Sequence, residues 1–349
     1  MSNASQQLTS EYLKKVISKE NTKKPPREIT FESDYLTSRF RTTDTPPGAV
    51  AEYIGSDNFS IEWSRRQYFE IDNGRLQEPL LYPAIYDVMT NSAFPAVVNL
   101  ERLGPAGVVF ERVEEGGEVK FASVTGSSIS IPIYQYAVGI QYTKRLFMFN
   151  ELWNLGLVER EAGIAYNALL NHVHLSPIIN HSYGAANTTP ASTSGTTLEE
   201  KVTRTIENAM VASVDDTTNP RYGPYVILCS SGSEFLIRRA LTYVPQQSFS
   251  YQTPAILDNI QNIIVYNGWT GTRGIKETTY PGVTAPTCFL IDIGRRDRHF
   301  KSLWKQDLQM TMGNPDVSRF IMEQSVWDVW FGMYADPTGA VQKITLPTS

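Results

Sequence analysis

The chain has 349 residues, 41% of them hydrophobic and 19% charged, with 23 Gly and 20 Pro. That length suits two packed domains, or one large domain with arms and insertions, and the composition excludes collagen-like, coiled-coil and disordered chains. The 31 basic and 36 acidic residues leave a net charge of −5, so the chain as a whole lacks the positive surface with which a protein grips nucleic acid broadly. Few charges beside 11% aromatic residues predict that much of the surface is covered by other subunits. The two cysteines, Cys229 and Cys288, sit among apolar residues. They are too few for a disulfide framework or a zinc site and read as buried free thiols, which suits a reducing compartment. The N-terminus is polar and Lys-rich without an apolar h-region, so no secretory leader is expected. No apolar run nears the roughly 20 residues of a membrane span.

Residues 1–50 are polar and interrupted by Pro25, Pro26, Pro46 and Pro47. They read as an extended arm, with room for a short helix around 9–17. Six basic residues against three acids in positions 1–30, among them Lys14 and Lys15, give the start of the arm +3 and the rest of the chain −8. Residues 51–103 are mixed, and PLLYPAIYDVM at 79–89 reads as a short helix or a strand pair. In 104–130 two β-rich runs, VVFERV and EVKFASV, flank Glu114-Glu115-Gly116-Gly117. Gly-Gly between such runs predicts a hairpin. An isolated hairpin is marginal in water, so this one needs a platform from its own chain or a neighbour.

ISIPIYQYAVGIQ at 129–141 reads as β, with Pro132 near a strand start or edge. Then Met148, Leu152, Leu155, Glu159, Ala162, Tyr166, Leu169 and Val173 recur in steps of three and four. This stripe predicts a helix over 143–176, capped by Thr143, closed before Pro177, and roughly 45 Å long. Gly156 and Gly163 each weaken it by about 1 kcal/mol, so packing must hold it. GAANTTPASTSGTT at 184–197 marks a domain boundary. A helix over 198–214, a buried strand YVILC at 225–229, a helix over 233–241 and buried strands at 262–266 and 287–291 follow. GWTGTRG between those last strands reads as a loop. Residues 303–312, 317–334 and 341–346 read as β.

Few residues suggest chemistry. His172 and His174 are two apart on a helix and face differently, and with His181 they lack a zinc-binding spacing. Ser230–Ser233 follows a strand and precedes a helix but lacks the G-x-S-x-G pattern, so it reads as an N-cap. The glycines 268, 271 and 274 match no phosphate cradle. Asp215 and Asp216 read as a solvated turn. Arg295, Arg296, Arg298, Lys301 and Lys305 form a basic strip, whose readings are a solvated or intersubunit face, or phosphate contact. The hairpin tip, Glu114, Glu115 and Glu118, has the opposite sign and would dock on that strip if subunits assemble side by side.

The order of parts resembles the major capsid proteins of tailed bacteriophages, the HK-ninety-seven-type fold. Residues 116–180 carry most of the resemblance: GGEVKFASVTGSSISIPIYQYAVGIQYTKRLFMFNELW is similar to that family's extended loop running into its spine helix. Residues 340–346 resemble its closing strands.

The resemblance implies an α+β fold with an N-terminal arm at 1–50, the first part of a peripheral domain at 51–103 and an extended β-hairpin loop at 104–130. It implies the peripheral domain with the spine helix at 131–183, an α/β axial domain at 184–291, and closing β segments of both domains at 292–349. It implies a non-enzymatic subunit, without cofactor or metal, that self-assembles as hexamers and pentamers into an icosahedral shell around double-stranded DNA, without sequence-specific binding or a membrane. Expected partners are a separate scaffold protein, a portal and decoration proteins. The expected location is the virion, after assembly in the host cytoplasm. Intersubunit contacts are expected at Lys14, Lys15, Glu114, Glu115, Glu118, Lys120, Arg295, Arg296 and Arg298. Some relatives cross-link a loop Lys, but no partner for Lys120 is matched. An encapsulin-like nanocompartment shell or a domesticated phage remnant stays open within the same fold. A soluble cytoplasmic hydrolase and a carbohydrate- or protein-binding module stay open in other classes.

Overall fold

A computed structural model of the chain describes residues 57–103, 126–143, 152–242, 259–273, 276–313 and 321–348. The elements run α1 (Asp57–Gln77), a 3-10 turn (Tyr82–Ala84), β1 (Asp87–Thr90), β2 (Val97–Leu103), β3 (Gly126–Pro132), β4 (Tyr134–Thr143) and α2 (Leu152–Ile179). They continue with β5 (Thr188–Thr189), α3 (Leu198–Val214), β6 (Tyr225–Cys229), α4 (Ser231–Thr242), β7 (Ile260–Val265), β8 (Gly268–Arg273), β9 (Lys276–Pro281) and β10 (Thr287–Asp292). Last come α5 (Arg296–His299), β11 (Phe300–Gly313), β12 (Ile321–Ala335), α6 (Pro337–Ala340) and β13 (Val341–Thr345).

Internal contacts divide the chain into two units, 1–70 with 150–159, and 71–149 with 160–349. In the first, Glu159 is fully buried, and its carboxylate lies 3.8 Å from Arg66 Nη2. The one polar member of the helical stripe thus has a charged partner, as a buried carboxylate requires.

In the second unit, α2 and the end of α1 approach closely at two glycines. A Cβ at Gly163 would collide with Ile71 O, and one at Gly74 with Arg160 O. The helix propensity lost at Gly163 is the cost of this contact. Two buried amides on α2 then receive the chain leaving α1. Asn167 Nδ2 donates to Arg75 O and Glu78 O at 2.7 Å, and Asn171 bonds Pro79 O and the Leu81 N–H.

Two larger sheets follow. One has the order β1-β11-β12-β4, the other β5-β13-β10-β6-β7, and β2–β3 and β8–β9 are two-stranded ribbons. One apolar cluster joins Tyr166, Leu170, Leu175 and Ile178 of α2 to Phe300, Trp304, Val329 and Phe331, and to Val226, Leu228, Phe289 and Ile291. A second packs Val202, Ile206 and Ala209 of α3 and Ile237, Ala240 and Leu241 of α4 on Tyr225, Ile227, Cys229, Cys288 and Leu290. The five-stranded sheet is thus covered on both faces, which is why β6 and β10 read as continuous apolar runs.

Several expectations need correction. The spine helix is described from Leu152; its predicted start at 144–151 lies outside the described residues, and Thr143, the predicted cap, ends β4 opposite Ile321. Pro177 does not stop the helix either, which runs to Ile179. Proline removes one hydrogen bond there, but Leu175 and Ile178 are fully buried in the core and hold the last turn. The run at 129–141 is two strands broken at Ile133, whose N–H donates to Ala96 O at 2.9 Å. PLLYPAIYDVM is one 3-10 turn followed by one strand. GWTGTRG is no loop: positions 268–273 form β8, paired with β9 from Gly268↔Pro281 to Arg273↔Lys276. The predicted arm and most of the hairpin, with Lys14, Lys15, Glu114, Glu115, Glu118 and Lys120, lie outside the described residues.

Candidate functional site

The three histidines do not converge. His174 is fully buried, with its ring stacked 4.0 Å from that of Tyr82. Its Nδ1 lies 2.7 Å from Leu170 O, which can only accept, so Nδ1 carries the proton. Nε2 therefore accepts from Ser302 Oγ at 2.8 Å, and Ser302 Oγ accepts from Trp304 Nε1 at 2.8 Å. Every polar atom in this relay has a partner, so it is a structural tie between α2 and β11. Burial lowers the His174 pKa to about 4, which keeps the ring neutral. His172 stacks on Tyr280 of β9 at 4.4 Å and His181 bonds Thr338 Oγ1 at 3.0 Å. Among the described residues no three metal-ligating side chains come together.

The serines at 230–233 open α4, but part of the cap comes from elsewhere: the Ser231 N–H donates to Asn267 Oδ1 at 2.8 Å. Ser230 O receives the N–H groups of Ser233 and Glu234. Asp216 is less solvated than expected. Its Oδ1 accepts from the Thr218 and Asn219 N–H groups, as in a turn, but its Oδ2 lies 3.3 Å from buried Arg221, which also bonds Val341 O and Gln342 Oε1 at 2.9 Å.

The basic strip divides by role. Arg295 and Arg296 are exposed, whereas Arg298 is half-buried. Lys301 Nζ lies 3.4 Å from Asp87 Oδ2 and Lys305 Nζ donates to Phe94 O at 2.7 Å. Those two lysines fasten the β1 segment to β11. The outward part is Arg295 and Arg296, with the Arg295 guanidinium 5.9 Å from the ring of Tyr222, itself 60% exposed.

Sequence reading missed a second surface. Among the described strands β4 pairs only with β12, so it is an edge. Its ten residues, YQYAVGIQYT, carry no charge and no proline. Edge strands are usually blunted by charge, proline or a bulge, because their free N–H and C=O groups template further pairing. Tyr134 and Val138 on this strand are exposed, as are Val326 on β12 and Val88 and Met89 on β1 at the opposite edge. Phe235 on α4 is 77% exposed. The missing charges were legible; the edge position was not, because it follows from the sheet order.

Solved shell-forming chains share the fold. A virus-like particle from Pyrococcus furiosus matches with a TM-score of 0.51 over 81% of this chain and 99% of its own, at 10% identity. The capsid of Cyanophage P-SCSP1u matches with a TM-score of 0.51 over 78% of this chain and 89% of its own, at 11% identity. No protein-family model matches the sequence, and neither does any curated protein. The chain has the HK-ninety-seven-type capsid fold, of the α+β class.

Proposed function

We propose that the chain is the major capsid subunit of a tailed bacteriophage, a structural protein that assembles with copies of itself into an icosahedral shell enclosing double-stranded DNA. The observation that carries this reading is the reach of the fold match, which takes in 99% and 89% of the two shell-forming chains. The unblunted β4 edge and the outward apolar side chains support it, since they are surfaces that further copies would cover. In this reading the chain divides into an arm at 1–50, a peripheral domain at 51–103 and 131–183, a loop at 104–130, an axial domain at 184–291 and closing strands at 292–349. The shell is held by many modest interfaces that add by multivalency. The net negative body contains DNA without gripping it. No residue is assigned a catalytic role. Scaffold, portal and decoration proteins are the further partners, and the virion, assembled in the host cytoplasm, is the location.

Negative-stain microscopy and sedimentation of the purified full chain test this. Closed shells or capsomer rings are expected; a monomer at every concentration overturns the proposal. Particles purified from cells with a protein cargo and no DNA would move the reading to a nanocompartment. In the assembled state Arg295 and Arg296 face the acidic tip Glu114, Glu115 and Glu118 of a neighbouring copy, with Arg298, Lys14, Lys15 and Lys120 as further contacts. Arg295→Glu with Arg296→Glu should weaken assembly and change its salt dependence, measured by light scattering. Unchanged assembly would sink this pairing.

A further inference from the structure

Cys229 ends β6, and Cys288 is the second residue of β10. The antiparallel register between these strands pairs Phe289 with Leu228, Leu290 with Ile227, Ile291 with Val226 and Asp292 with Tyr225. One further step sets Cys288 directly opposite Cys229. Opposed residues in such a ladder alternate between hydrogen-bonded and non-hydrogen-bonded pairs. The Ile293 N–H donates to Pro224 O at 3.0 Å, which fixes the phase at the other end of the ladder. Counting from that bond makes Phe289–Leu228 a hydrogen-bonded pair and Cys288–Cys229 a non-hydrogen-bonded one.

Bonds on both outer sides agree. Cys229 O accepts from the Tyr266 N–H at 3.0 Å, so this carbonyl points away from β10. On the far side of β10, Leu346 N–H donates to Pro286 O at 2.9 Å. The same counting makes Cys288–Ile344 a hydrogen-bonded pair and turns the Cys288 backbone toward β13. Both thiols lie on one sheet face, in the cluster beneath α3 and α4. Non-hydrogen-bonded pairs bring Cα atoms to about 4.5 Å, inside the roughly 4.4–6.8 Å span of a disulfide.

We propose that Cys229 and Cys288 form a latent disulfide site, closed by a small-molecule disulfide when β6 and β10 open enough to admit it. The thiolate of one cysteine attacks a sulfur of the oxidant, forming a mixed disulfide and releasing one small thiol. The second cysteine attacks the protein sulfur of that mixed disulfide and expels the other small thiol. The protein loses two electrons and two protons, and the oxidant becomes two thiols. In the folded protein both thiols are fully buried, and burial pushes the Cys229 thiol up to about 12 and the Cys288 thiol up as well. Few thiolates and no access keep the pair reduced until the strands part. Once closed, the bond joins the two strands across 58 intervening residues, positions 230–287.

The full-length protein is incubated with oxidised glutathione, in buffer and in urea just below its unfolding transition, then alkylated and weighed intact. Expected in urea is a product two hydrogens lighter, free of glutathione and of alkylation at both cysteines. Its Tm should rise by roughly 5–10 °C and fall back on reduction. Cys229→Ala and Cys288→Ala should each stop at a single glutathione adduct, because the resolving thiol is gone. Wild-type protein that keeps one or two glutathiones, or links between chains, overturns the proposal without reference to either variant. Equal closure rates in buffer and urea would overturn its latency.

Discussion

The two larger sheets of this fold differ in what covers them. In the five-stranded sheet β6 is buried at all five positions, and β10 at every position after its first. Its two faces belong to two apolar clusters. In the four-stranded sheet β12 alternates, with Trp327, Val329 and Phe331 buried and Val326 exposed, while most of β4 is exposed. Among the described residues, one sheet is covered on both faces within a single copy, although its β7 edge, IQNIIV, is also uncharged; the other leaves most of a ten-residue uncharged edge strand exposed. In the proposed shell the first keeps each subunit folded, and the second is where copies meet.

The largest expected effect lies in the first sheet. Ile227 is fully buried between β10 and the layer of α3 and α4. Ile227→Ala removes three carbons and leaves a cavity, which should cost about 4 kcal/mol in urea unfolding of the dissociated subunit. A loss below 1 kcal/mol would mean that this sheet is less tightly packed than the clusters imply.

Acid should act next, through the relay that ties α2 to the other sheet. The buried His174 has its pKa lowered to about 4 from the ordinary 6.5. Below pH 6.5 the unfolded chain takes up a proton that the folded ring refuses. The stabilisation is therefore full above pH 6.5 and is lost as pH falls toward 4. The difference corresponds to about 3 kcal/mol. His174→Gln should lower stability at pH 7 and flatten the acid slope across that window, read from urea titrations at each pH. A parallel offset between variant and wild type at all pH values would remove His174 as the cause.

The same contrast sets how much the sequence revealed. YVILC and TCFLI were legible because burial on both faces leaves no polar position to confuse the period. The helix at 198–214 was legible from the face that Val202, Ile206, Ala209 and Met210 share; the cap at Thr197 was not read. α1 was not, because Tyr68, Phe69 and Leu76 point outward and spoil any single stripe. β8 was missed because Gly268 and Gly271 read as loop and outweighed Trp269, Thr270 and Thr272, which favour strand; pairing with β9 and the stack of Trp269, Tyr280 and His172 hold it. The five clustered basic residues suggested one face, but the chain passes there from a short helix into a strand. Lys301 and Lys305 are spent on internal contacts, and two arginines remain exposed.

A smaller effect tests the helical layer over the covered sheet. Thr197 Oγ1 accepts from the Glu200 N–H at 3.2 Å, while Glu200 Oε2 accepts from the Thr196 N–H at 2.9 Å. Thr197→Ala should cost about 1 kcal/mol, measured by thermal unfolding, with assembly of the folded fraction unchanged. A shift in assembly at equal stability would mean that α3 also takes part in subunit contacts.

The smallest effect on the single subunit is expected at the β4 edge, and it separates the two sheets most sharply. Val138 stands opposite Trp327 in the ladder yet remains 41% exposed. Its substitution by lysine leaves the charged head in water, with the stem along the apolar face, and should change subunit stability by no more than about 0.5 kcal/mol. A lysine on an open edge opposes further strand pairing and the burial of that edge by another copy. Val138→Lys should therefore yield folded subunits with unaltered denaturation midpoints that no longer sediment as shells. Ile227→Ala should do the reverse, giving shells whenever the subunit is folded but fewer folded subunits. If Val138→Lys assembles like the wild type, the β4 edge stays open in the shell, and its lack of charge needs a cause other than contact between copies.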